Sequence, residues 1–214
     1  MGVCLPQHVR RERSIQTAQR ILLENNISSL PVDIKSLFKK YGYFLVDYST
    51  AEKYCSKNDP LKFKNAEDCL AATYLMNNKY LTVYKENIRP YGRLVWTLSH
   101  EFGHIVLGHL EDFDETDVRR TLTDNQYEIL EKEADAFAAE LLAPIALLKN
   151  IKGLNKEMIQ SMCSVSEEAS IYILENIKKF GNMEVYTRVE YAFLESFFDF
   201  IMQTCFKINT DYNF

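Results

Sequence analysis

Basic residues are the minority charge: 25 Lys and Arg face 30 Asp and Glu, for a formal net charge of -5. Nucleic-acid binding needs a surplus of cations to neutralise phosphates, so it is not expected as the main role. The five cysteines (Cys4, Cys55, Cys69, Cys163 and Cys205) are scattered, and no CxxC pair occurs among them. That argues against both a disulfide framework and a thiolate metal site, and reduced thiols in a cytoplasmic protein are expected. No stretch reaches the roughly 18 uninterrupted apolar residues of a membrane span. The most apolar region, 191–206, is interrupted by Glu195 and Asp199 and reads as core or interface. The opening MGVCLPQHVRRERS lacks an apolar core of signal-peptide length, and Pro6 stands where the myristoylation pattern needs Ser or Thr. Neither an internal repeat nor a low-complexity linker is evident.

What remains is an ordinary globular composition, 47% hydrophobic and 26% charged over 214 residues, enough for one well-buried core with a small appendage. Ile15, Ala18, Ile21 and Leu22 recur at helical spacing between Arg11 and about Asn26. A short second helix is expected to start at Pro31 and stop at Gly42. Tyr43 to Tyr48 reads as a strand and 49–68 as loop. Leu70–Met76 and Lys79–Tyr84 read as two strands joined by a tight turn at Asn77-Asn78. After Arg89-Pro90 the pattern is helical to the end. This order predicts an α+β fold: a small antiparallel or mixed sheet packed on helices, followed by a mostly helical C-terminal region. The expected division is 1–150 as the main domain, 151–180 as a helical unit and 181–214 as an aromatic-rich tail packed on the body.

The chemistry concentrates in His100-Glu101-Phe102-Gly103-His104, an HExxH. Residues four apart on a helix differ by about 40° around the axis, so both imidazoles share one face and can grip one metal ion. Glu101 then lies beside the open coordination position, placed to take a proton from the attacking water. With 4 histidines and 30 acidic residues in 214 positions, chance would produce such a motif roughly 0.01 times. Val95, Leu98, Phe102, Ile105 and Val106 occupy the opposite side of this helix. Its few polar groups therefore gather on one stripe, which a buried helix has little reason to do unless something binds there.

A catalytic zinc takes three protein ligands. His109 is one residue short of the metzincin spacing and lies about 180° from His100 on a continuous helix. It reads as a helix-end histidine, or as a contact to the substrate or its oxyanion. The stretch Glu131-Lys-Glu-Ala-Asp-Ala-Phe-Ala-Ala-Glu-Leu-Leu-Ala-Pro144 is helical, and Glu131 shares the face of Ala134, Phe137, Ala138, Leu141 and Leu142. Glu133 and Glu140 fall near 180–200° from Glu131 and are expected outside. A carboxylate on an apolar stripe calls for a cation, so Glu131 is the expected third ligand. Asp135, one turn on, reads either as a hydrogen-bond acceptor for a ligand imidazole or as a solvated helix carboxylate.

HEFGHIVLGH followed by EKEADAFAAELLAP resembles the ImmA/IrrE-type metallo-endopeptidases, and Arg93-Leu-Val-Trp-Thr-Leu-Ser-His100 resembles that family's lead-in. Ala143 stands where Met is common in the family, and Trp96 where Phe is common. The resemblance is strong over 93–144 and weak elsewhere. It implies a gluzincin-like core, Zn²⁺ held by His100, His104 and Glu131, and Glu101 as general base. It also implies site-specific cleavage of a helix-turn-helix repressor, relieving repression in a mobile element or stress response. A His₂Glu set also accepts Mn²⁺. The alternative is a non-catalytic regulator that keeps the metal and binds a repressor or another partner. Residues 154–180 have a helix-turn-helix outline, but the acidic Glu167-Glu168 opening favours packing or docking over DNA reading.

Overall fold

A computed structural model describes residues 6–54, 69–110 and 122–211. The expected loop at 55–68, Cys4, Cys55 and the N-terminal modification position lie outside the described residues. The order is α1 (Arg11–Glu24), α2 (Ile34–Lys40), β1 (Phe44–Asp47), α3 (Tyr48–Tyr54), β2 (Ala71–Met76) and β3 (Lys79–Tyr84). It continues with α4 (Tyr91–Val106), α5 (Asp124–Leu142), α6 (Ile145–Leu148), α7 (Lys156–Cys163) and α8 (Glu167–Phe180). The last elements are α9 (Glu184–Thr187), α10 (Glu190–Ser196) and α11 (Phe198–Asp211). This is an α+β fold with a small mixed sheet.

Two local expectations change. The second helix begins at Ile34, not Pro31, because the Asp33 carboxylate accepts the Ser36 backbone N–H at 3.1 Å and caps the helix there. Residues 48–54 are helical, not loop or strand: Asp47 accepts the Thr50 N–H at 2.7 Å and turns the chain straight out of β1.

In the sheet, β3 lies in the middle, parallel to β1 and antiparallel to β2. Asn77 and Asn78 have φ of 50° and 58°, the left-handed pair that a two-residue hairpin turn requires. Alternation then sorts the side chains. Ala72, Tyr74, Met76, Leu81 and Val83 form a small cluster on one face. Leu75, Tyr80 and Tyr84 face the main core. Thr73 and Thr82, paired across the strands, share that second face by the same period of two.

The main core is helical. α5 is packed between α1 and α4, so apolar and small side chains surround it: Ala134, Ala136, Phe137, Ala138, Leu141 and Leu142 are all buried. Its start carries a capping box, in which Thr123 and Gln126 satisfy each other's backbone N–H groups. Gly103 permits the close approach of α4, since a Cβ there would lie 2.9 Å from the Phe137 ring. The turn between α7 and α8 rests on the start of α4, where a Cβ on Gly92 would lie 2.4 Å from the Val165 carbonyl carbon. Ile159, Cys163, Ala169 and Ile173 belong to the same core. So do Val185, Tyr186, Phe193 and Phe197, so the aromatic tail packs on the body through these residues. No helix among the described residues is long and apolar enough to cross a membrane.

Candidate metal centre

α4 carries His100 and His104 on one stripe, and α5 brings Glu131 against them. The three ligand atoms lie within 4.8 Å of one another. His100 Nε2 is 3.0 Å from His104 Nε2 and 3.4 Å from Glu131 Oε2, and His104 Nε2 is 3.3 Å from Glu131 Oε1. Donors about 2.0–2.1 Å from a single tetrahedral ion sit roughly 3.4 Å apart, so these three atoms fit a divalent metal.

The electrostatics agree with the geometry. Burial works against charge on His100, but its hydrogen bonds to the Asp135 and Glu131 carboxylates outweigh it and lift its pKa to about 10. Burial also works against ionisation of Glu131, yet hydrogen bonds to His100 and His104 hold its carboxyl far below the usual range. The two shifts are the two sides of one ion pair, a protonated His100 beside an ionised Glu131.

Asp135 Oδ1 lies 2.9 Å from His100 Nδ1, on the side of the ring away from Glu131. That contact leaves Nε2 facing the cluster. Glu101 is close enough to favour charge on His100, and its Oε2 accepts a 2.7 Å hydrogen bond from the Thr73 hydroxyl on β2. Thr73 in turn lies 2.9 Å from the Thr82 hydroxyl, which is fully buried. With Thr73 donating to Glu101, Thr82 donates to Thr73. The strand pair thus anchors the glutamate of the HExxH.

Residues 87–174 match the family model of the IrrE N-terminal-like domain, peptidase family M78. That stretch is similar to an IrrE N-terminal-like domain. No curated protein matches the chain. The matched stretch of the IrrE N-terminal-like domain opens just before α4 and runs through α5, α7 and most of α8. It therefore contains His100, Glu101, His104, Glu131 and Asp135, while Thr73 and Thr82 lie outside it, on the sheet.

Three acidic and histidine positions in the matched stretch differ from the helical-wheel reading. Glu133 and Glu140, expected outside, are 0% and 2% exposed. The wheel assumed one inward face, whereas α5 is covered by α4 on one side and α1 on the other. Glu133 is paired with Arg10, ahead of α1, with Oε2 2.8 Å from an Arg10 terminal nitrogen. Glu140 accepts from Gln19 Nε2 at 3.0 Å and from the Ile145 N–H at 3.2 Å, and burial lifts its pKa to about 8.

His109 is not a surface histidine. α4 ends in a Schellman motif: Gly108, at φ +72°, donates to Ile105, and the His109 N–H returns to the His104 carbonyl at 3.0 Å. The reversal swings the His109 ring back under His104, where its side chain is 1% exposed. Burial lowers its pKa to about 4, so the ring is neutral at ordinary pH. Gly108 two residues beyond a strong apolar period was the available signal for this reversal.

Beside Asp135, a 270 Å³ cleft opens between α4 and α8, lined by Arg93, Trp96, Thr97, Glu168 and Tyr172 among others. Its Trp96 and Tyr172 rings meet edge to face at 5.8 Å.

Proposed function

We propose that this chain is a zinc-dependent endopeptidase that cuts a helix-turn-helix transcriptional repressor at a specific site in the cytoplasm. The observation that carries the catalytic part is the convergence of His100, His104 and Glu131 with Glu101 held alongside. The repressor as substrate rests on the likeness to the ImmA/IrrE-type family. In this reading His100 Nε2, His104 Nε2 and a Glu131 oxygen hold the ion. A divalent ion there supplies Lewis-acid chemistry, making water more acidic and a carbonyl more electrophilic.

The protein's own part is positioning and proton transfer. Thr73 occupies Glu101 Oε2, so Oε1 is the oxygen assigned to the proton of the attacking water, which Glu101 later passes to the leaving amine. β3 is the central strand with both sides paired and offers no free edge to a substrate. Among the described strands β2 is the edge strand nearest Glu101, so an extended substrate would add to β2. The cleft beside Asp135 would then receive a substrate side chain.

The test is incubation of candidate helix-turn-helix repressors with wild type and Glu101→Gln, each with and without chelator. A fragment produced only by metal-loaded wild type supports the reading. Glu101→Gln should abolish cleavage while zinc content stays near one per chain. Equal repressor binding by both proteins without cleavage would favour a non-catalytic regulator instead.

A further inference from the structure

His109 and Glu133 are buried polar groups that the cleavage chemistry does not use. Burying an ionised carboxylate beside a histidine is costly unless the pair has a task or a full set of partners. Here the partners run in a line that ends on a proposed metal ligand. His104 Nδ1, the nitrogen facing away from Glu131, lies 3.0 Å from His109 Nδ1. His109 Nε2 lies 3.1 Å from Glu133 Oε2. Glu133 Oε1 accepts from the Arg10 backbone N–H at 2.6 Å and from Arg10 Nε at 2.9 Å. Its Oε2 accepts from an Arg10 terminal nitrogen at 2.8 Å.

Hydrogen-bond logic assigns every proton in this line. A carboxylate saturated by an arginine only accepts, so the His109 nitrogen beside it, Nε2, carries the hydrogen. Of the two Nδ1 atoms 3.0 Å apart, one donates to the other. A His104 that presents a bare Nε2 to His100 and Glu131 carries its hydrogen on Nδ1, and His109 Nδ1 then accepts it. This is the tautomer a metal ligand needs. With side chains of His109 and Glu133 1% and 0% exposed, bulk water cannot substitute for either. A second contact fastens the same end of α4: an Arg13 terminal nitrogen donates to the Leu107 carbonyl at 2.9 Å.

We propose that Arg10, Glu133 and His109 form a positioning array that sets the tautomer and orientation of His104, making the N-terminal segment part of the metal centre. The inference rests on reading His100, His104 and Glu131 as that centre. The two histidines are then oriented by unlike means: His100 by Asp135, whose side chain is 40% exposed, and His104 by the buried His109–Glu133 pair, which Arg10 joins to the surface.

The experiment measures zinc affinity by chelator competition for wild type, His109→Leu and His109→Gln, each checked for folding by circular dichroism. The Gln carboxamide can accept from His104 and donate to Glu133, whereas Leu can do neither. His109→Leu is expected to bind zinc about 10- to 100-fold more weakly, and His109→Gln to recover most of the loss. Affinity of His109→Leu within threefold of wild type, or a Gln variant as weak as Leu, would overturn the array. A tautomer measurement on zinc-loaded wild type needs no variant: nitrogen-15 NMR should find His109 protonated at Nε2, and protonation at Nδ1 would overturn the proposal. Wild type that takes up no divalent ion would overturn the metal-site reading itself. Wild type that binds while His109→Leu binds equally well would sink the array alone.

Discussion

The Thr73 hydroxyl donates a 2.7 Å hydrogen bond to Glu101 Oε2 across a sequence separation of 28 residues. It joins the sheet to the helix that bears the HExxH, and it occupies one of the two glutamate oxygens. Hydrogen bonds to charged groups contribute about 1.5–3 kcal/mol. Thr73→Val, which keeps the shape and removes the donor, should lower kcat roughly 10- to 100-fold with little change in zinc content. Steady-state kinetics on a cleavable repressor, paired with metal analysis, checks this. An unchanged kcat would mean that the contact is structural.

Metal uptake should release a proton. His100 in the metal-free protein has a pKa lifted to about 10, so near neutral pH it carries a proton that a metal must displace. Apparent affinity is therefore expected to rise about tenfold per pH unit between roughly 7 and 9. Calorimetry in buffers of different ionisation enthalpy gives the proton count directly, and a count near zero at pH 7.5 would contradict the charge assignment.

Gly103→Ala tests the spacing of α4 and α5. The new Cβ would meet the fully buried Phe137 ring at 2.9 Å and push apart the helices that bring Glu131 to the histidines. Overpacking of this kind costs about 1–3 kcal/mol. Both the thermal midpoint and zinc affinity should fall. A drop in stability with unaltered affinity would show that the ring yields locally.

Glu140 should make the fold less stable in alkali. Its pKa rises from the usual carboxyl value to about 8 on folding, so between roughly pH 4.5 and 8 the folded chain holds a proton that the unfolded chain has released. Its contribution is fully present below the unfolded pKa and is lost as pH rises through the folded one. Glu140→Gln should flatten that part of the decline in midpoint between pH 5 and 8, measured on metal-free protein. Identical slopes for the two proteins would refute the assignment.

The shared face of His100 and His104 was legible in the chain because it depends on helical period alone. Four-residue spacing puts two imidazoles on one side, whereas the apolar-stripe argument for Glu131 did not hold: its side chain is 32% exposed, and Glu133 and Glu140 are the buried ones. The strand pair and its Asn77-Asn78 turn were legible for the same local reason, a period of two closed by residues that tolerate positive φ. Asp33 and Asp47 were harder, since short polar side chains that cap a helix resemble those that sit in loops.

Tertiary structure decided the rest. The helical wheel of α5 describes one face, but packing between α1 and α4 buries two, so Glu133 and Glu140 became interior groups. Thr73 and Thr82 had no motif to mark them, since their role exists only once the sheet lies against α4. His109 was placed by the reversal at Gly108, which discontinues the angle count on which its outward reading depended. Sequence by itself determined that His100 and His104 share one face, because a helix carries its spacing within itself. Only the folded chain determined what holds those donors in place, because Arg10, Glu133 and His109 meet through contacts that no local period encodes.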